Sequence, residues 1–245
     1  MRYEEPMESV LELRQYTLHE GQRDVLIELF EREFVESQEA VGMALVGTFR
    51  DCDRPERFVW IRAFADMPSR AASLQAFYGG PVWAAHRDAA NATMIDSDNV
   101  LLLRPASNGA GFARPAAPRA PIGATARADS RVLATIYYLQ APVDDTFRGF
   151  FEHGLAPALA DAGFAPIAHL ETEPAENTFP RLPVRTGEHA FVWFARFDDA
   201  DALRAAEARL AASPRWAALK PELEKAFKSP PERLVLEPTA RSRLR

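Results

Sequence analysis

The chain has 245 residues, 47% of them hydrophobic and 26% charged, which is ordinary globular composition with enough apolar surface for a sizeable core. A formal net charge of −6 and the lack of any basic stripe argue against nucleic acid as a partner. A single cysteine, Cys52, excludes an internal disulfide framework and a cysteine-based zinc site. The opening MRYEEPMESV is acidic and has neither the apolar run of a signal peptide nor the composition of a transit peptide. No stretch approaches the roughly 20 apolar residues a membrane helix needs, so the expectation is a cytoplasmic protein with no membrane partner.

The first half reads strand, helix, strand, strand, helix, strand. Val10 to Thr17 has strand character, and Leu26, Leu29, Phe30 and Phe34 recur at helical spacing before a stop near Gly42. Met43 to Arg50 and Arg57 to Phe64 are β-prone runs joined by a turn-like Asp51-Cys52-Asp53-Arg54-Pro55. A helical stretch follows from Pro68, a second opens at Pro81 and runs to about Met94, and Val100 to Leu103 closes the unit. This is the ferredoxin-like split βαβ order. Residues 106–131 are rich in Ala, Pro, Gly and Arg without apolar periodicity and read as a linker.

The same pattern then recurs. Val59-Trp60 matches Val192-Trp193, Pro81-Val82-Trp83 matches Pro214-Arg215-Trp216, and Leu101 to Leu103 matches Leu234 to Leu236, all at an offset of 133. The front of each half aligns at 121, with Tyr16 on Tyr137, Phe30 on Phe151 and Gly42 on Gly163. The second copy therefore holds 12 more residues between these blocks, placed around Glu173 to Glu188, where Pro174, Pro180, Pro183 and Gly187 mark an enlarged loop. The expected organisation is α+β: a first repeat at 8–105, the linker, a diverged second repeat at 132–238, and a tail at 239–245.

Charge separates the copies. Along a strand alternate side chains share a face, so Glu12, Arg14 and Tyr16 lie together, as do Phe58, Trp60, Arg62 and Phe64. Glu12 falls on Leu133, Arg14 on Thr135, Arg62 on Ala195 and His86 on Leu219. An arginine on a largely buried face is costly unless paired, and Glu12 is the evident partner. The expectation is that the first copy lines a functional cavity while the second is mainly structural.

Glu12-Leu13-Arg14-Gln15-Tyr16-Thr17-Leu18, the Val59 to Phe64 strand with Asp66-Met67, Phe77-Tyr78 before Pro81-Val82-Trp83, Arg87, Asn91, Met94 and the Asn99 to Pro105 close together resemble the NIPSNAP family. The resemblance covers about residues 8–105, and Glu237 departs from it where the first copy has Arg104. It implies a dimeric α/β-barrel fold, here with both ferredoxin-like sheets supplied by one chain and packed sheet to sheet as an internal pseudo-dimer. It carries over no catalytic residues, since the family has no agreed set.

The candidate ligand-binding residues are Glu12, Arg14, Tyr16, Trp60, Arg62, Tyr78, Trp83, His86, Arg87 and Asn91. The arginines would clamp a carboxylate or enolate oxygen, or else form a buried ion pair joining two strands. Trp60 and Trp83 would wall a flat apolar ligand or simply fill the core. His86 would be a proton acceptor, an axial haem ligand or a helix-face histidine. His169, Glu171 and His189 lack metal-site spacing, and no phosphate loop or nucleophile elbow occurs. The leading expectation is a small-molecule ligand, apolar or anionic, bound in the first repeat without a cofactor, with oxygenase or isomerase chemistry by analogy. The alternatives are a protein-interaction scaffold and a haem-binding protein. Coverable faces on both copies make a homodimer a further expectation.

Overall fold

The computed structural model describes residues 8–113 and 118–245. The N-terminal segment 1–7 and residues 114–117 of the expected linker lie outside the described residues. Among the described residues no helix is long and apolar enough to cross a membrane.

Eight strands close into one barrel. β1 (Val10–Leu18), β2 (Ala44–Asp51), β3 (Arg57–Phe64) and β4 (Met94–Pro105) come from the first half. β5 (Arg131–Tyr138), β6 (Pro166–Thr172), β7 (Ala190–Phe197) and β8 (Glu232–Pro238) come from the second. The order around the barrel is β1-β3-β2-β8-β5-β7-β6-β4, so each half keeps the same internal neighbours. The two groups of strands join at both edges, through Phe49 to Asp51 of β2 with Leu236 to Pro238 of β8, and Leu103 to Pro105 of β4 with Leu170 to Thr172 of β6. Among the described residues closure leaves no exposed sheet edge, the feature that most readily recruits another strand.

Helices cover the outside of each half. In the first, α1 (Arg23–Leu29) runs through a π-helical turn (Phe30–Phe34) into α2 (Val35–Glu39), and α3 (Met67–Tyr78) and α4 (Pro81–Asn91) follow β3. The second half has α5 (Asp145–Phe150), a π-helical turn (Phe151–Leu155), α6 (Ala156–Asp161), α7 (Ala200–Ala211) and α8 (Pro214–Lys225). Asp66 caps α3 and Asp199 caps α7 in the same way, each accepting from the backbone N–H three residues on. A π-turn often marks a functional site. Here the two occupy equivalent places, Phe30 and Phe151 being 121 residues apart, so they belong to the architecture.

The alternation along each strand sorts three apolar cores. Leu11, Leu13, Val59, Ile61, Val132, Ala134, Val192 and Phe194 fill the barrel interior. Tyr16, Phe58, Trp60 and Phe64 face outward onto the first-half helices with Phe30, Phe34 and Phe77. Tyr137, Phe191, Trp193 and Phe197 do the same under the second-half helices.

One feature differs from the sequence reading. β4 begins at Met94, six residues before Val100, because Met94 and Asp96 of its opening pair with Leu18 and Thr17 at the end of β1 across register shifts. The tail after Pro238 is also packed. Thr239, Arg241 and Ser242 are buried, the Thr239 hydroxyl reaches Glu31, Ser242 accepts from the Thr48 backbone, and Arg241 pairs with Glu36.

Candidate functional site

Glu12 and Arg14 project from β1 and Arg62 from β3, on the face turned toward the helices. The register sets Glu12 directly opposite Arg62. The pair is extended by a residue the sequence reading missed, Arg70 of α3. One Glu12 carboxylate oxygen accepts from Arg14 Nη1 at 2.6 Å and Arg62 Nε at 2.7 Å, and the other accepts from Arg70 Nε at 2.7 Å. All four side chains are essentially sealed from solvent, at 0–1% exposure. Among the described residues the ion pairs of these three arginines run to Glu12 alone, which leaves a formal excess of two positive charges in the interior.

The remaining donors reach neutral acceptors. Arg14 Nε donates to the Tyr16 hydroxyl at 3.0 Å, and Arg62 Nη1 donates to Gln38 Oε1 at 3.1 Å. Arg70 Nη1 donates to Asn177 Oδ1 at 3.0 Å and Thr178 Oγ1 at 3.2 Å. The Nη2 groups of Arg62 and Arg70 are buried without an acceptor. A charge out of water costs several kcal/mol unless paired and fully hydrogen-bonded, so such a cluster is expensive to keep. Burial alone would raise the Glu12 pKa, but the charges of Arg62, Arg14 and Arg70 outweigh it and hold the carboxyl far below the usual range. Burial also pulls the Arg70 pKa down; Glu12 opposes this, while Arg62 and Arg14 add to it. Burial pushes the Tyr16 phenol upward against the pull of Arg14, so it stays a neutral hydroxyl.

An aromatic cage adjoins the arginines. The Arg62 guanidinium lies 5.0 Å from the Trp60 ring centre and 5.9 Å from that of Tyr78, and Arg14 lies 5.4 Å from Trp60. Tyr16, Phe30, Phe34, Trp60, Tyr78 and Trp83 surround a cavity of about 30 Å³, room for little more than water. The aromatic rings fill this part of the first half against one another. Trp83 packs on Tyr78 and Phe34 at 4.8 and 5.6 Å between ring centres. His86 is partly exposed and sits 3.4 Å from Glu33 at the rim. Arg87 and Asn91 face solvent on α4, outside the cluster.

The cover over the cluster comes from the other half. Cys52 to Glu56, the β2–β3 turn, is five residues, whereas Glu173 to His189, between β6 and β7, is 17, and the difference of 12 is the inserted length. This long loop crosses to the first half. Glu173 and Arg185 donate backbone N–H groups to Leu102 and Val100 of β4. Phe179, only 6% exposed, stacks on Tyr78 at 5.9 Å and joins the first-half core with Leu182 and Val184. The second half thus supplies Asn177 and Thr178 as acceptors to Arg70.

Beneath the loop lies the larger cavity, about 420 Å³, lined by Leu102, Val143, Asn177, Val184 and Ala190 with Arg104, Arg185, Glu171 and Glu188 among its polar groups. Glu171 is neutralised by Arg104 and Arg148, and Arg185 by Glu188. His169 pairs with Glu152, and among the described residues no group of three His, Cys, Asp or Glu could hold a metal ion.

Whole-chain likeness to solved structures is in fold alone. An anthrone oxidase-like protein superposes with a TM-score of 0.56 at 12% identity, over 95% of this chain and 92% of its own. A candidate monooxygenase of Fusobacterium nucleatum gives 0.55 at 7% identity, over 95% and 93%. A candidate chlorite dismutase gives 0.53 at 11%, over 97% and 98%. Together they place the closed barrel with its outer helices in the dimeric α/β-barrel class of folds. No curated protein matches the sequence. The family model of NIPSNAP matches residues 11–108, the stretch that holds Glu12, Arg14, Arg62, Arg70 and the whole cage. The NIPSNAP resemblance read from the sequence is thus matched over residues 11–108, within the first half of the chain.

Proposed function

We propose that this protein binds a small, largely apolar organic anion in its first half, between the barrel wall and the helices, and that the two halves are a duplication acting as an internal pseudo-dimer with only the first site kept. The observation that carries the binding reading is the set of three sealed arginines sharing one carboxylate, beside an aromatic cage. Replacing such a network by hydrophobic residues of similar volume is commonly neutral or stabilising, so stability gives no reason to retain it. An incoming carboxylate, enolate or phenolate oxygen would neutralise part of the excess charge and give the bare Arg62 and Arg70 donors an acceptor. The shared strand order and paired π-turns support the duplication.

The same arginines would stabilise an enolate-like charge during a cofactor-independent oxygenation or isomerisation. That finer reading rests on fold likeness to a candidate monooxygenase and an anthrone oxidase-like protein. Haem does not fit the first-half cage. The 30 Å³ cavity cannot hold a macrocycle, and the nearby histidine, His86, is engaged with Glu33 at the rim.

The test is calorimetric titration with 2-naphthoate and with its neutral counterpart 2-naphthamide. The proposal predicts at least tenfold tighter binding of the carboxylate, about 1.4 kcal/mol, abolished in Arg62→Met. Equal affinities, or none for either compound, would contradict it.

A further inference from the structure

We infer that the 420 Å³ chamber beneath the β6–β7 loop is where the body of the anionic ligand sits, and that Asn177 occupies the place of the ligand's carboxylate on Arg70. This rests on the proposed function for the arginine site and places the ligand's body at the seam between the halves, since the chamber takes Leu102 and Arg104 from the first half and the rest of its lining from the second.

Size makes the first argument. The aromatic cage is more than tenfold smaller than the chamber, and ligand sites are generally clefts of about 300–1,000 Å³ lined mainly by apolar groups with a few placed polar ones. The chamber falls in that size range, with Leu102, Val143, Val184 and Ala190 as apolar wall and Arg104, Arg185, Glu171, Glu173, Glu176, Glu188 and His189 among its polar groups. Its position makes the second. Leu102 stands opposite Glu12 in the β1–β4 pairing, so the chamber abuts the strand that carries the cluster. Among the described lining residues, Asn177 alone hydrogen-bonds one of the three arginines. The amide oxygen of Asn177 is therefore the partition between a ligand-sized space and a buried pair of excess positive charges.

Chemistry makes the third. An amide oxygen is a neutral acceptor on a guanidinium whose other buried donor, Nη2, has none. A carboxylate in its place forms a charge-assisted and readily bidentate contact, roughly twice as strong per bond. Asn177 is held in its loop by bonds to the Leu182 carbonyl and from the Phe179 N–H, and Phe179 and Leu182 pack in the first-half core, so the exchange is a local displacement of the Asn177 side chain from Arg70 while the loop anchor, β6 and β7 stay in place. The ligand class is an aromatic or alicyclic monocarboxylate of the chamber's volume.

Variants that fill the chamber from its two walls test this, using the full chain and 2-naphthoate as probe. Ala175→Trp acts from the exposed loop side and Val143→Trp from the opposite side, and neither touches the arginines. Each is expected to weaken naphthoate binding at least tenfold with an unchanged melting temperature. Asn177→Ala is expected to tighten it two- to tenfold, because the competing acceptor is removed, an effect opposite to that of merely loosening the loop. Unchanged binding in both tryptophan variants, together with loss in Arg70→Met, would overturn the chamber and keep the arginine site. Weaker binding in Asn177→Ala would overturn the stand-in role. Failure of the unsubstituted protein to bind naphthoate would instead overturn the proposed function itself, and the chamber with it.

Discussion

The two halves of this barrel bury the same face of the same sheet, and they do it with different chemistry. Where the first half has Glu12, Arg14, Arg62 and Arg70, the second has Leu133, Thr135, Ala195 and Leu203, all buried. The aromatic framework is shared, with Tyr16 matched by Tyr137 and Trp60 by Trp193, and every one of these rings is buried. One architecture is thus stable with either lining. The apolar version shows that the fold does not require the charged residues. The long β6–β7 loop repeats the lesson from the other side: it belongs to the plain half and covers the charged one.

The comparison can be broken most sharply at Glu12. Glu12→Gln leaves three buried guanidiniums without a counter-ion, and the expected loss is about 3–5 kcal/mol in urea unfolding. Mutating the loop anchor, Phe179→Ala, is expected to cost about 3 kcal/mol by removing a core aromatic. Faster hydrogen exchange confined to Glu173–His189 and the Arg70 region of α3 would confirm that the loop is the cover. Acid adds a subtler contrast. The Glu12 pKa is depressed from its ordinary value of 4.5 in the folded chain, so its contribution is complete above that pH and is lost as pH falls below it. Wild-type stability should therefore decline more steeply below about pH 4.5 than that of a variant with apolar residues at the four positions, the other carboxylates being common to both.

Much of the frame was legible in the sequence because it is written in periodicity. Alternation in Val10 to Leu18 and Arg57 to Phe64, the 121 and 133 offsets and the proline-rich insertion locate strands, halves and loop without any coordinates. The Glu12–Arg14–Arg62 grouping was legible too, since strand alternation puts these residues on one face. Arg70 was not, because Met67-Pro68-Ser69-Arg70 reads as the start of an ordinary solvated helix. The signal was present nonetheless, for Leu203 stands 133 residues on and joins the second-half core. The chamber and the cover were illegible for a different reason. Asn177, Thr178 and Phe179 lie in a loop with no period, and only the folded path of that loop brings them to Arg70.

The most direct test of the central claim, that the arginine cluster serves ligand binding and not folding, replaces it with residues of the second half's character. Glu12→Leu, Arg14→Met, Arg62→Met and Arg70→Leu are combined in one chain, and both urea unfolding and 2-naphthoate titration are measured. The account predicts a protein as stable as the original or more so, by up to about 4 kcal/mol, that no longer binds the carboxylate. A quadruple variant that unfolds several kcal/mol more easily, or that binds naphthoate as well as before, would contradict it.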